Sequence, residues 1–173
     1  MSAHLHGEAS TPPWSTWLGD DFTGSAAVME VLAFSGVTTV LFTDIPSDSL
    51  IERFRGVRAI GIASTARSKN PKWMAEHLPR SFAWLDAFQS PVLHYKTCST
   101  FDSSPETGSI GKAIEIGLSV RPAAGVPLIT AAPQMRRYQA FGHLFAGSFD
   151  GVFRLDRHPV MAHHPVTPMD ESD

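Results

Sequence analysis

Several things are scarce in this chain of 173 residues, and each scarcity removes a class of function. There is one cysteine, Cys98, so neither a disulfide framework nor a cysteine metal cluster can form within it. No apolar run approaches the length of about 18 residues that a membrane-crossing helix needs. Basic residues are not in excess: the formal net charge is −3, the wrong balance for gripping nucleic acid. The start, "MSAHLHGEASTPP", lacks the basic stretch and apolar block of a secretory leader, and residues 1–13 read as a loose tail. These features together predict a cytoplasmic chain. What is present is an ordinary globular composition, 43% hydrophobic and 18% charged, which excludes intrinsic disorder. The length fits one domain able to bury roughly two-thirds of its unfolded surface.

Strand-like and helix-like stretches alternate along residues 14–133. "WSTWLG" (14–19), "VTTVLF" (37–42), "VRAIGIAS" (57–64), "PVLHYKT" (91–97) and "VPLITAAP" (126–133) read as strands. Between them, "SAAVMEVLAFSG" reads as a helix stopped by Gly36, and "PSDSLIERFRG" as a short helix capped by Ser47. Asn70 followed by Pro71 opens a third helix, in which Pro79 predicts a kink or a break, and 108–120 is a fourth. Near-continuous apolar strands alternating with helices predict an α/β, Rossmann-like three-layer domain spanning 14–173. Its sheet would be mainly parallel, with about five or more strands and helices on both faces. Beyond residue 133 the rhythm stops, and strand-and-loop wrapping is expected. There Phe149, Val152, Phe153 and Val160 are expected to be exposed, which would favour self-association into a homo-oligomer.

Ligands of open parallel sheets settle beyond the carboxyl ends of the strands. On this reading four loops meet there. They carry Asp20, Asp21 and Thr23; Ser64, Thr65, Arg67 and Ser68; Lys96, Ser99, Thr100, Asp102 and Ser103; and Gln134, Arg136 and Arg137. The fragment "KTCSTFDSS" is the densest, with three serines, one threonine and a carboxylate between Ser99 and Ser104. Cations that pair with a carboxylate or phosphate, beside acceptors for hydroxyls, suit a small polyhydroxylated anion. Helix starts after Thr23 and Gly108 would add backbone donors. His158, His163 and His164 invite a zinc reading, but the intervening Pro159 and Pro165 spoil the spacing, and no metal site is expected. Cys98 reads as a small packed residue.

"GDDFTGSAAV", "KTCSTFDSSPETGSIG", "RRYQAFGHLF" and "HHPVTPMDESD", in that order, resemble the four-carbon acid sugar kinases, a family that includes 3-oxo-tetronate, D-threonate and D-erythronate kinases. The resemblance implies a two-domain enzyme with a Rossmann-like N-terminal domain that binds the acid sugar. A C-terminal domain carries most of the ATP site, and phosphoryl transfer, with Mg²⁺, occurs in the cleft between them. This chain covers the N-terminal domain, so its implied partner is a C-terminal kinase domain, in cis or as a separate chain. The family's motifs fall on Asp20, Asp21, Thr23 and Gly24; on Lys96, Ser99, Thr100, Asp102 and Ser103; and on Arg137. Ser109 stands where many relatives have asparagine, and Tyr138 where they have threonine.

Within that frame Arg67, Lys96 and Arg137 are expected to hold the sugar carboxylate, and the "STFDS" loop its hydroxyls. An aspartate of the 20–21 pair, with Asp21 the candidate, would orient or deprotonate the acceptor hydroxyl unless the base lies in the other domain. Two other readings compete: a stand-alone acid-sugar-binding domain without catalysis, and an aspartate-nucleophile phosphatase. The second normally needs two aspartates separated by one residue, whereas Asp20 and Asp21 are adjacent.

Overall fold

The computed structural model describes residues 11–165 and 167–172; most of the expected N-terminal tail lies outside them. Four strands form a parallel sheet in the order β2 (Thr39–Phe42), β3 (Ala59–Ala63), β1 (Ser15–Gly19), β4 (Val92–Lys96). Gly19 pairs with Ala63 on one side and Lys96 on the other, so β3, β1 and β4 end level and their outgoing loops start at one edge.

Side chains alternate across the strands, and the two faces are covered differently. One face carries Leu18, Val40, Phe42, Ile60 and Ile62 and packs under α2 (Asp48–Ile51), α3 (Pro71–Asp86) and α4 (Ile110–Val120). In α3 the residues Met74, Leu78, Phe82 and Leu85 repeat at helical spacing and are all buried, each contributing about 1.5–3 kcal/mol. On the other face lies α1 (Phe22–Phe34), which approaches β1 through small residues. A Cβ on Gly19 would sit 1.7 Å from the Ser25 hydroxyl, and one on Gly61 would sit 2.1 Å from the Trp17 ring. Those glycines admit the helix and the indole respectively.

Asn70 accepts from Trp73 N–H at 2.9 Å and starts α3, as its sequence predicts, and Ser47 caps α2 in the same manner. Pro79 does not divide α3, which runs unbroken from Pro71 to Asp86. Proline removes a single intrahelical donor, and the flanking Leu78 and Phe82 are anchored in the core.

The expected fifth parallel strand is absent: 126–130 form no regular element, and Ile129 is 77% exposed. Among the described residues the parallel sheet therefore has four strands. Pro127 cannot donate to a strand ladder, which accounts for the failure of an apolar stretch that otherwise reads as a strand. The chain instead builds a separate antiparallel sheet, β5 (Arg137–Ala140), β6 (His143–Ser148) and β7 (Gly151–Arg154), in that order. A second small core gathers Leu144, Ala146, Leu155 and Met161 with Phe101 and Met169. Phe149, Val152 and Val160 are exposed, whereas Phe153 is half-buried with its ring edge-on to His158. Among the described residues no helix is long and apolar enough to cross a membrane.

Candidate functional site

The carboxyl edge of the parallel sheet holds two adjoining clefts. The smaller, about 190 Å³, is lined by Asp20, Asp21, Phe22, Ser64, Thr65, Arg67 and Ser68. The larger, about 330 Å³, shares Phe22, Ser64 and Thr65 and extends over Thr43 and Asp44 toward α3.

Asp20 sits at the meeting point of three loops. Its N–H donates to Lys96 O, its carbonyl accepts from Arg67 N–H, and Oδ2 accepts from Cys98 N–H at 3.2 Å. The residue is 3% exposed, and Oδ1 is buried with no hydrogen-bond partner among the described residues. Burial, reinforced by the neighbouring Asp21 charge, pushes its carboxyl up to about 6 against the opposing pull of Cys98 N–H, Lys96 and Arg67. An unpartnered buried acceptor is costly in an isolated fold. Asp21 has a different occupation. It is the N-cap of α1, taking Gly24 N–H on Oδ1 at 2.5 Å, and its Oδ2 lies 3.4 Å from Arg67 Nη1.

Arg67 binds both sides of the edge. Nε reaches Asp102 Oδ2 at 3.1 Å, while Nη2 reaches Asp102 Oδ1 at 2.9 Å and Thr100 Oγ1 at 3.3 Å. With Nη1 directed to Asp21, four of its five N–H donors are placed, leaving one Nη1 hydrogen. Burial alone would raise the Asp102 carboxyl. The bonds from Arg67, Thr100 and Thr167 outweigh it and hold the group below its usual range. Lys96 donates to Thr97 O, and its ammonium lies 3.4 Å from where a Cβ on Gly24 would be, at the start of α1.

The loop after β4 owes its shape to Phe101, whose φ of 57° is rare for an aromatic residue. Its ring is anchored in the second core, so the backbone turns there and Thr100 and Asp102 both face Arg67. Gly108 supplies another fixed point. Its φ is +62°, and a Cβ there would come within 2.4 Å of the Arg67 carbonyl oxygen.

The structure thus brings Asp20, Asp21, Arg67, Lys96, Thr100 and Asp102 to one edge. Ser64, Thr65 and Ser68 line the smaller cleft as well, whereas Thr23, Ser99, Ser103 and Arg137 line neither cleft. Ser103 Oγ accepts from Ile110 N–H and helps start α4. Ser99 offers its carbonyl to Arg137 Nε at 3.2 Å, and the remaining Arg137 bonds go to the carbonyls of Met135 and Arg136. Arg137 therefore braces the back of the loop. Thr23 is exposed in the first turn of α1. His158 Nδ1 accepts from Val160 and Met161 N–H, and His164 Nδ1 from Thr167 N–H, so both rings shape turns. Thr167, which donates to Asp102, escapes sequence reasoning because nothing local links residues 65 apart in the chain.

Compared with known proteins, residues 15–173 match the family described as the sugar-binding N-terminal domain. The chain belongs to that family. This sugar-binding domain is 51% identical to the 3-oxo-isoapionate kinase of Paraburkholderia graminis, over 91% of the chain and 33% of that kinase. It is 31% identical to the 3-oxo-tetronate kinase of Haemophilus influenzae, over 88% of the chain and 35% of the relative. The crystal structure of a Haemophilus influenzae protein superposes on the domain with a TM-score of 0.79 at 29% identity, covering 91% of the chain and 36% of that structure. The domain therefore spans about a third of the length of the curated relatives it matches.

Proposed function

We propose that this domain binds the acceptor substrate of an ATP-dependent kinase acting on a small acid sugar, a four-carbon 3-oxo or hydroxy acid or a branched relative. The observation that carries the reading is Asp20: a buried carboxylate oxygen without a donor among the described residues, beside Lys96 and Arg67 at the edge of a small cleft. The two cations match a sugar carboxylate, and a substrate hydroxyl supplies the donor that Asp20 Oδ1 lacks. Kinase relatives of matching sequence support the transfer chemistry.

Of the two adjacent aspartates, Asp20 suits the role of hydroxyl acceptor better than Asp21, whose oxygens serve the helix cap and Arg67. A carboxyl near 6 is ionised at neutral pH and basic enough to draw a proton from a hydroxyl under attack. Asp102 and Thr100 then act as the frame that aims Arg67.

The domain's own residues do not fit a nucleotide with its metal. Two cations, Arg67 and Lys96, stand beside the two carboxylates of the smaller cleft, enough to meet one sugar carboxylate but not a triphosphate with its metal. ATP and Mg²⁺ belong in this proposal to the remaining two-thirds of a full-length kinase, which is also the domain's partner. The test is calorimetry on the 173-residue chain with D-threonate, D-erythronate and ATP as titrants. Binding of an acid sugar without ATP supports the proposal. ATP binding alone, or release of phosphate from a generic phosphoester, overturns it.

A further inference from the structure

Near the end of the chain lies "HPVTPM", and one of its side chains reaches the frame of the substrate cleft. Thr167 is 2% exposed and donates its hydroxyl to Asp102 Oδ2 at 2.9 Å. The same oxygen accepts Arg67 Nε, and the other accepts Arg67 Nη2 and the Thr100 hydroxyl. From the geometry we infer that Thr167 is a positioning residue: its hydroxyl fixes the plane of the Asp102 carboxylate and so the aim of the Arg67 guanidinium at the acid sugar. The inference rests on the proposed substrate reading for its consequence, though not for its geometry.

An aspartate carboxylate turns freely about its last torsion, which is broad and roughly two-fold. A bidentate arginine grip works in one plane only. A third donor arriving from another part of the chain restricts that rotation. Thr167 is itself held: its N–H donates to His164 Nδ1 at 3.0 Å, and the chain around it is tied down by Met169 N–H to Met161 O and by Leu144 N–H to Ser172 O. The tail therefore stands on the antiparallel sheet and props the arginine from behind. A residue that only filled space would need no hydroxyl directed at a carboxylate.

Thr167→Val keeps the shape and removes the donor, Thr167→Ala also removes the bulk, and Thr167→Ser keeps the donor. Two readouts are taken on the 173-residue chain: affinity for D-threonate and D-erythronate by calorimetry, and the amide-type NMR signal of Arg67 Nε–H with its exchange rate. The valine and alanine variants are expected to lose roughly tenfold in acid-sugar affinity and to show faster exchange at Arg67 Nε–H, with serine restoring both. If the parent chain binds neither acid, the substrate reading fails while the NMR signal still decides the role of Thr167. An Arg67 Nε–H signal unchanged in both donor-less variants overturns the inference, as does a serine variant no better than valine.

Discussion

Arg67 and Asp102, 35 residues apart, meet in a two-pronged pair, Nε to Oδ2 at 3.1 Å and Nη2 to Oδ1 at 2.9 Å. The aspartate side chain is 3% exposed and the arginine 28%, so the pair is shielded on its acidic side and open on its basic side. That asymmetry makes the arginine both a partner and a usable cation.

Lysine carries the same charge but a single ammonium, which cannot span both carboxylate oxygens while also reaching Asp21 and Thr100. Arg67→Lys is expected to destabilise the domain by about 2 kcal/mol, below the cost of breaking a fully buried pair because the arginine is partly open to water. Acid-sugar affinity should fall by roughly tenfold or more. Urea unfolding and calorimetry measure the two effects. A variant with parent-like stability and affinity would show that the fork contributes to neither.

The parallel frame is largely legible in the sequence because local signals there agree with the tertiary outcome. Asn70 and Ser47 cap the helices they announce, and the strand-like stretches at 37–42 and 57–64 become β2 and β3. Loops leaving level strand ends then bring Asp20, Arg67 and Lys96 together, as the carboxyl-edge placement of ligands in parallel sheets implies. Two kinds of information stay hidden. The fate of "VPLIT" turns on sheet pairing, where Pro127 overrides apolar content. The division of labour between Asp20 and Asp21 depends on which oxygens already have donors, and adjacent identical residues carry no trace of that. Arg137 is a similar case: its charge fits an anion, and nothing local in the sequence signals that its Nε and Nη1 donate to three backbone carbonyls.

Gly108 provides a second test of how the site is built. Its φ of +62° already disfavours a side chain by roughly 1 kcal/mol. The added methyl of Gly108→Ala would also meet the Arg67 carbonyl oxygen at 2.4 Å, and backbone cannot swing aside as a flexible side chain does. The 66–68 turn must shift, taking the guanidinium with it. The expected outcome is a loss of 2 kcal/mol or more, again roughly, together with weakened acid-sugar binding. Gly36, also at positive φ but with open space around its missing Cβ, is the control: Gly36→Ala should carry the conformational cost and leave binding intact. Equal effects of the two substitutions on affinity would refute the contact argument.

Asp20 lends the domain a stability that changes with pH in an unusual direction. In the unfolded chain its carboxyl ionises near 3.8, whereas burial in the fold moves it to about 6. Between those values the folded protein holds a proton that the unfolded chain has released. This contribution to stability is therefore complete below about pH 4, declines as pH rises through 6 and is level above it. The shift corresponds to about 3 kcal/mol. In Asp20→Asn the titration disappears, while any constant cost of burying the amide applies equally at every pH. The stability of the variant relative to the parent should therefore climb by up to that amount between pH 4 and 6.5, measured by urea unfolding across the range. Acid-sugar binding at neutral pH should fall at the same time if Asp20 is the proposed acceptor for a substrate hydroxyl. A stability difference that stays flat with pH would mean that Asp20 ionises as an ordinary aspartate, and the basis for making it the hydroxyl acceptor would go with it.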